Sequence, residues 1–223
     1  MFRSRNKSVI ISYISLRRLI GILGMLLPFI CVFGGLLISG IPIRSSISSY
    51  YHTNMRDVFV GILIGVSLFL MTYKGYERID NIVTAMSGLA ALGVVIFPSR
   101  YSLVSTEPLG VFQISPVISD KIHAVCSVIF FILLAINSIF LFTLTKNKNI
   151  PKTRNKKIRN CIYISCGIII LLSLLILLIR SLIGVGVEND KTLLVFETIM
   201  LLAFGTSWLV KGKTLFKDKP EKF

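Results

Sequence analysis

The stretch from residue 45 to 60, SSISSYYHTNMRDVFV, concentrates side chains that can do chemistry. Serine hydroxyls, a histidine and an arginine bind anions, move protons or hold metals. If a helix starts near Ser48, then Ser45, Ser48, Ser49, His52 and Arg56 recur at spacings of three and four and share one face. The pattern predicts a polar stripe that faces either water or a pocket.

The elements that carry this stretch must be membrane helices, because the chain is very apolar. Of its 223 residues, 54% are hydrophobic and 16% charged, and the mean hydropathy is +0.80. That composition excludes an ordinary soluble domain. The net charge of +15 then indicates topology and contact with anionic lipid. Nucleic-acid binding is not expected, because aromatic and basic residues do not interleave as a stacking groove requires.

Six apolar segments predict six membrane spans. A hydrocarbon core about 30 Å thick needs roughly 20 helical residues, and no segment alternates as a barrel strand does. The sequence therefore predicts an all-α, integral membrane six-helix bundle that forms one domain. The predicted spans are residues 19–39, 55–74, 81–98, 120–144, 161–182 and 192–210.

The charges between the spans predict the orientation. Of the 25 Lys and Arg residues, 19 fall in the tails 1–18 and 211–223, in the loop 145–160, or at residues 74–80, between the apolar runs of spans two and three. Since basic loops stay on the cytoplasmic side, both termini are predicted to be cytoplasmic (N-in/C-in). The stretch from residue 45 to 60 is then on the outer side.

Small residues predict a close contact between spans two and three. Gly61 and Gly65 form a GxxxG spacing in span two, and residues 87–93 of span three include two glycines and two alanines. Small side chains let helix backbones approach each other where lipid supplies no hydrophobic driving force.

Three further polar residues fall within apolar segments on the predicted outer side. His123 begins span four, Arg180 ends the apolar run of span five, and Glu197 lies about one turn into span six. Charges at such depth need a partner or a function. The simplest expectation is an Arg180–Glu197 ion pair. The alternative is that Arg180 holds a phosphate or carboxylate, or that Glu197 acts as a ligand or base.

Both histidines of the chain and these two charges thus meet the polar stretch at one face, which favours a site over a solvated, serine-capped helix start. Asp57 and Glu197 are the candidate catalytic carboxylates. The predicted ligand-binding residues are Ser48, Tyr51, His52, Arg56, His123, Arg180 and Glu197.

The strings SISSYYHT, RDVFVG, YKGYERIDN and FPS, the histidine early in span four and the closing SWLVKG together resemble a family of uncharacterised bacterial six-span membrane proteins. The resemblance covers most of the chain. It implies a single-domain helical protein of the bacterial inner membrane, and it implies no particular activity.

Ser48 and His52 also match the Ser-x-x-x-His element of the intramembrane hydrolase superfamily that includes alkaline ceramidases and adiponectin-receptor-like proteins. This looser resemblance implies a zinc site. The chain has only two histidines, so the ligands would be His52, His123 and a carboxylate, Asp57 or Glu197, with one position left for water.

The leading functional hypothesis is an outward-facing polar pocket that binds a lipid headgroup or a small polar ligand and needs no cofactor. The alternative is zinc-assisted hydrolysis of a lipid ester or amide. A transporter is disfavoured, because no ionisable residue occupies the middle of a span and no span is broken at its centre. The expected partners are membrane lipids.

Overall fold

A computed structural model describes residues 2–75, 77–100, 107–145, 153–184, 190–214 and 216, with side chains from Tyr13 onward. Within these residues the protein is all-helical. The six α-helices are α1 (Phe2–Ser39), α2 (Arg56–Thr72), α3 (Arg78–Ile96), α4 (Pro116–Ile136), α5 (Arg154–Ile183) and α6 (Thr192–Lys211). A 3-10 helix, Ser48–His52, lies between α1 and α2, and a π-helical turn, Asn137–Leu141, extends α4.

Five of the six α-helices are long and apolar enough to cross a membrane, which supports a multi-pass membrane protein. They are α1 from Tyr13 onward, α3, α4 with its π turn, α5 and α6. The sixth, α2, has 17 residues, the lower end of the usual spanning length. The outer surface is apolar too: Leu172 and Leu178 of α5 are 53% and 56% exposed, as expected of side chains that face lipid.

At two predicted boundaries the helix extends beyond the predicted span. Helix α1 begins at Phe2 and therefore runs through the predicted tail 1–18, and α5 begins at Arg154, inside the predicted loop 145–160. Lys and Arg are good helix formers, so a helix continues past its apolar part into a basic flank. At α5 the Thr153 hydroxyl accepts from the Lys156 backbone N–H at 3.1 Å and caps this early start.

The helices form a closed ring in which each packs against its neighbours in the chain and α1 closes against α6. Buried aromatic side chains pack against one another inside the ring, close to where α2, α4 and α6 end. The Trp208 ring meets those of Tyr73 and Phe142 edge to face at centroid distances of 5.1 and 5.2 Å, and Phe204 lies 6.2 Å away. Such edge-to-face contacts help to fix the helices against one another.

The glycine contacts differ from the predicted ones. An added Cβ at Gly61 or Gly65 would meet nothing within 4 Å, so the GxxxG pair of α2 forms no close contact. The contact between α2 and α3 is made by Gly88, where a Cβ would lie 2.6 Å from the Ser67 carbonyl oxygen. The Ser67 hydroxyl donates to the Gly88 carbonyl at 2.7 Å, so a side-chain hydrogen bond also joins the two helices at this point.

Polar groups in the middle of the bundle satisfy one another. The Asn137 side chain, 1% exposed, accepts from the Thr84 hydroxyl at 2.9 Å and donates to the Ser87 hydroxyl at 3.2 Å and to the Leu133 carbonyl at 3.0 Å. Asn137 is also the first residue of the π turn, a place where the backbone departs from α geometry. The network joins α3 to α4, and it gives the buried Asn137 side chain its hydrogen-bond partners within the bundle.

The two ends of the bundle have opposite character. The basic end carries Arg18, Lys156 and Lys211, whose side chains bond the backbone carbonyls of Gly212, Phe142 and Leu144. The other end, here called the histidine end, is formed by residues 40–55, the end of α3, the start of α4, the end of α5 and the start of α6. It holds both histidines of the chain.

Candidate functional site

At the histidine end, the segment between α1 and α2 is fastened to α6. The Leu194 backbone N–H donates to the Ser45 carbonyl at 2.9 Å. The Glu197 carboxylate accepts from the Ile47 backbone N–H at 2.5 Å and also from that of Ser48. A hydrogen bond from a buried backbone N–H to a side chain of another helix satisfies that donor and ties the two segments together. The start of the 3-10 helix is therefore held over α6.

The His123 ring lies between this segment and the end of α3, and it is 7% exposed. Its Nδ1 is 3.0 Å from the Val94 carbonyl oxygen and 2.9 Å from that of Phe97. Its Nε2 is 2.9 Å from the Ser48 hydroxyl oxygen. The ring thus joins three chain segments that are distant in sequence.

The partners assign the tautomer of His123. A carbonyl oxygen only accepts, so Nδ1 next to two carbonyls must carry the hydrogen. In the neutral ring, Nε2 is then a lone-pair acceptor, and the Ser48 hydroxyl donates to it. Ser48 and His123 form a serine-to-histidine hydrogen bond whose direction is that of a nucleophile and its base.

The segment after α3 is fixed to α4 by hydrogen bonds to its backbone. The Ser119 hydroxyl donates to the Pro98 carbonyl at 2.7 Å, and the Asp120 carboxylate accepts from the Arg100 N–H at 2.9 Å. The His52 Nε2 is 2.6 Å from the Ser99 carbonyl oxygen, so this nitrogen carries a hydrogen. These bonds fix residues 98–100, which directly follow the Phe97 carbonyl that contacts His123.

A cavity of about 300 Å³ opens beside the Ser48 hydroxyl and is here called the Ser48 cavity. One part of its wall is polar and includes His123 and Glu197. The rest is apolar and comes from α4, α5 and α6. Its lining residues are Ser46, Ser48, Ser99, Asp120, His123, Ala124, Ser127, Val128, Phe131, Leu174, Leu177, Leu178, Ser181, Leu193, Glu197 and Met200. A polar wall joined to an apolar one suits an amphiphilic ligand.

A second, more open cleft of about 580 Å³ lies around His52 and is here called the His52 cleft. Its lining residues are Tyr51, His52, Thr53, Arg56, Pro108, Leu109, Gly110 and Gln113. The Arg56 guanidinium donates to the Tyr51 hydroxyl at 2.7 Å and lies 4.4 Å from the centre of the Tyr51 ring. This cation–π contact orients Arg56 across the cleft.

The single predicted pocket is therefore divided. Ser48, His123 and Glu197 line the Ser48 cavity, whereas Tyr51, His52 and Arg56 line the His52 cleft. The predicted polar stripe is wrong, because residues 48–52 form a 3-10 helix and α2 begins only at Arg56. A 3-10 helix has three residues per turn, so the spacing of four no longer keeps Ser48 and His52 on one face.

The expected ion pair between Arg180 and Glu197 is also wrong. Arg180 pairs with Asp190, a residue just before α6, and lines neither cavity. Hydrogen bonds from the Thr192 hydroxyl and backbone N–H, and the nearby Arg180 guanidinium, hold the pKa of the Asp190 carboxyl below its usual range. Asp190 therefore stays ionised at neutral pH and joins the end of α5 to the start of α6.

Asp57, the other candidate carboxylate, is exposed in the first turn of α2 and lines neither cavity. Within the described residues, no group of three or more His, Cys, Asp or Glu side chains is arranged to hold a metal ion. The zinc site built from His52, His123 and Asp57 stays a prediction.

Sequence reasoning missed several cavity residues. Asp120 and Ser127 lie three residues before and four after His123, so the three share a face of α4 and all line the Ser48 cavity. That spacing was visible in the sequence. The contributions of Ser46, Ser99 and Ser181 had no such signal, because they depend on how separate segments meet.

No protein-family model, no curated protein and no solved structure matches this chain. The two family resemblances that the sequence suggests are therefore untested.

Proposed function

We propose that this protein is a six-span protein of the bacterial inner membrane, with both termini cytoplasmic, that binds an amphiphilic ligand in the Ser48 cavity. The polar head of the ligand contacts Ser48, His123 and Glu197, and its hydrocarbon part lies along α4 and α5. The observation that carries the proposal is the composition of this one cavity, polar at the helix ends and apolar toward the middle of the bundle.

The course of the cavity along α5 supports an amphiphile over a small polar solute. Its α5 wall runs from Ser181, near the helix end, to Leu174, and seven residues of helix cover about 10 Å. Between these two, Leu177 and Leu178 also line the cavity. A solute without an apolar part would leave this wall unfilled, whereas a lipid chain would bury it at about 0.8 kcal/mol per CH₂ group.

The cavity is also accessible from the side of the bundle. Val128 of α4 and Leu178 of α5 line it and are 46% and 56% exposed. In a bilayer such side chains face hydrocarbon, so a lipid can enter laterally between α4 and α5 without crossing water. The polar head then stays at the level of the helix ends, where headgroups lie.

Filling the cavity tests this function. Ala124 lines it, whereas the adjacent Val125 is 58% exposed and does not. We expect a photoreactive phospholipid with a diazirine on its acyl chain to crosslink to peptides of α4 and α5 in the purified protein. In Ala124→Trp the yield should fall about tenfold, because the indole occupies the space of the chain. Peptide mass spectrometry measures the yield.

Val125→Trp is the matched control, with the same side chain one position along the same helix. It should crosslink as the wild-type protein does. Equal crosslinking in both variants, or crosslinks spread over all helices without preference for α4 and α5, would contradict binding in the cavity.

The orientation is tested with single cysteines in a chain whose four native cysteines are replaced by alanine. Asn54 lies at the histidine end, and Lys157 and Lys213 at the basic end, and all three are exposed. We expect a membrane-impermeant maleimide to label Asn54→Cys in intact spheroplasts, and to label Lys157→Cys and Lys213→Cys only after permeabilisation. Labelling of Lys213→Cys in intact spheroplasts would exclude a cytoplasmic C-terminus.

A further inference from the structure

The pair Ser48 and His123 has the geometry of a nucleophile and its general base. We infer that Ser48 is a catalytic nucleophile that accepts an acyl group from a long-chain carboxylic ester bound in the Ser48 cavity, with His123 as its base. Because the ester must enter that cavity, the assignment rests on the proposed function. It requires no metal ion, in contrast to the zinc site that the looser family resemblance implies.

The hydrogen bonds of His123 supply the first argument. Its Nε2 is 2.9 Å from the Ser48 hydroxyl, within the range for proton transfer. The carbonyls of Val94 and Phe97 fix the Nδ1–H tautomer and the plane of the ring. In a serine hydrolase triad a carboxylate orients the histidine and stabilises the imidazolium. Here two carbonyls at the C-terminus of α3 take that position, and this end of a helix favours a positive charge.

The fixation of Ser48 supplies the second argument. Ser48 is the first residue of the 3-10 helix, and its own backbone N–H and that of Ile47 bind the Glu197 carboxylate. The serine is thereby held on two sides, at its backbone by α6 and at its hydroxyl by α4. A nucleophile held in one orientation avoids part of the entropic cost of reaching the transition state.

The surroundings of the pair supply the third argument. Ser48 and His123 both line the Ser48 cavity, whose remaining wall is mostly apolar. A purely structural serine–histidine bond would need no such space beside it. An ester carbonyl lies between the polar and apolar parts of a lipid, and the pair lies at the corresponding boundary of the cavity.

The step balances without a co-reactant other than water. The Ser48 oxygen bonds to the ester carbonyl carbon while its proton passes to His123 Nε2. The bond from the carbonyl carbon to the alcohol oxygen then breaks, and the proton on Nε2 goes to the departing alcohol. Water next gives a proton to Nε2 and its oxygen to the acyl carbon. The acyl–Ser48 bond breaks, the proton returns to Ser48, and a carboxylic acid is released.

A long-chain alkyl fluorophosphonate is the probe, because it phosphonylates an activated serine and releases fluoride. In wild-type protein in detergent we expect one adduct, on the peptide that contains Ser48, and no adduct after heat denaturation. Ser48→Ala should lose it, and the neighbouring Ser49→Ala should keep it. His123→Gln should react about 100-fold more slowly, since it lacks the base. Intact-mass and peptide mass spectrometry measure these rates.

Wild-type protein that takes up no phosphonate, or takes it up on another serine, would overturn the inference, whether or not the variants fold. The photoreactive phospholipid separates this failure from that of the proposed function. If the lipid crosslinks in the cavity while Ser48 stays unreactive, the binding function stands without the nucleophile. If neither reaction occurs at the cavity, both proposals fail.

Discussion

Replacing Glu197 with leucine should lower the free energy of unfolding by about 2 to 5 kcal/mol, the largest effect we expect from one polar side chain. The carboxylate accepts from the backbone N–H groups of Ile47 and Ser48. Leucine fills a similar space but accepts nothing, so both donors lose their partner in a setting where water is scarce. Thermal unfolding in detergent micelles, followed by circular dichroism, measures the change.

Two variants separate the hydrogen bonds from the rest of the side chain. Glu197→Gln keeps an acceptor oxygen and should lose clearly less stability than Glu197→Leu. Thr198→Val changes the next residue of α6, whose hydroxyl bonds the Leu194 carbonyl of the same helix, and should stay close to wild type. A Glu197→Leu protein that melts with the wild type would show that Glu197 does not hold the segment.

The same substitution should also expose the segment between α1 and α2. Since Glu197 and the Leu194 N–H fasten it to α6, removal of the carboxylate leaves one backbone hydrogen bond from α6 to residues 45–48 among the described contacts. Limited proteolysis near Asn54, which is exposed at this end, would then report local opening at temperatures below the main transition.

The sequence predicts the helices well, for a physical reason. Their apolar stretches depend on local composition, and the bilayer requires length and internal hydrogen bonding whatever the packing. It predicts the ends less well. The basic flank before Leu19 and the one before Cys161 continue as helix, because charge marks the membrane boundary but does not stop a helix.

The partners of the polar residues could not be predicted from spacing. Ser48 and His52 fit a helical spacing, but the backbone from 48 to 52 is a 3-10 helix, and Ser48 bonds His123 across 75 positions of the chain. The sequence places Arg180 and Glu197 at matching depths, yet the ion pair of Arg180 is with Asp190, which is nearer to it in the chain. The depth of two residues in the membrane limits whether they can meet, but the conformation of the loops decides which of them form a pair.

The division into two cavities follows from the same loop geometry. Residues 47–52 turn tightly, so Ser48 is directed toward α4 and α6, while Tyr51 and His52 line the open cleft with Arg56. The His52 cleft is polar and open, and the Ser48 cavity is mostly apolar and next to the lipid-facing surface. Of these two, the Ser48 cavity combines a serine bonded to His123 with an apolar wall, and it is therefore the better site for a lipid.

The second large effect should come from Gly205, where α1 and α6 cross at close range. A Cβ there would lie 2.6 Å from the Gly21 carbonyl oxygen and would also contact the Met25 side chain. Backbone cannot move aside as a flexible side chain can, so the helices must separate. We expect Gly205→Leu to cost at least about 3 kcal/mol, the upper end of the usual cost of overpacking a core. Unfolding in detergent micelles measures it.

Gly61 and Gly65 of α2 provide matched controls, since a Cβ at either would meet nothing within 4 Å. Gly61→Leu and Gly65→Leu should be neutral, or stabilising by up to about 1 kcal/mol, because glycine is a poorer helix former than leucine. The GxxxG motif of α2, which in the sequence predicts a close helix contact, should thus tolerate a large residue, whereas Gly205 of α6 should not. Loss of stability at Gly61 and Gly65 equal to that at Gly205 would mean that α2 packs against a further surface through its GxxxG face.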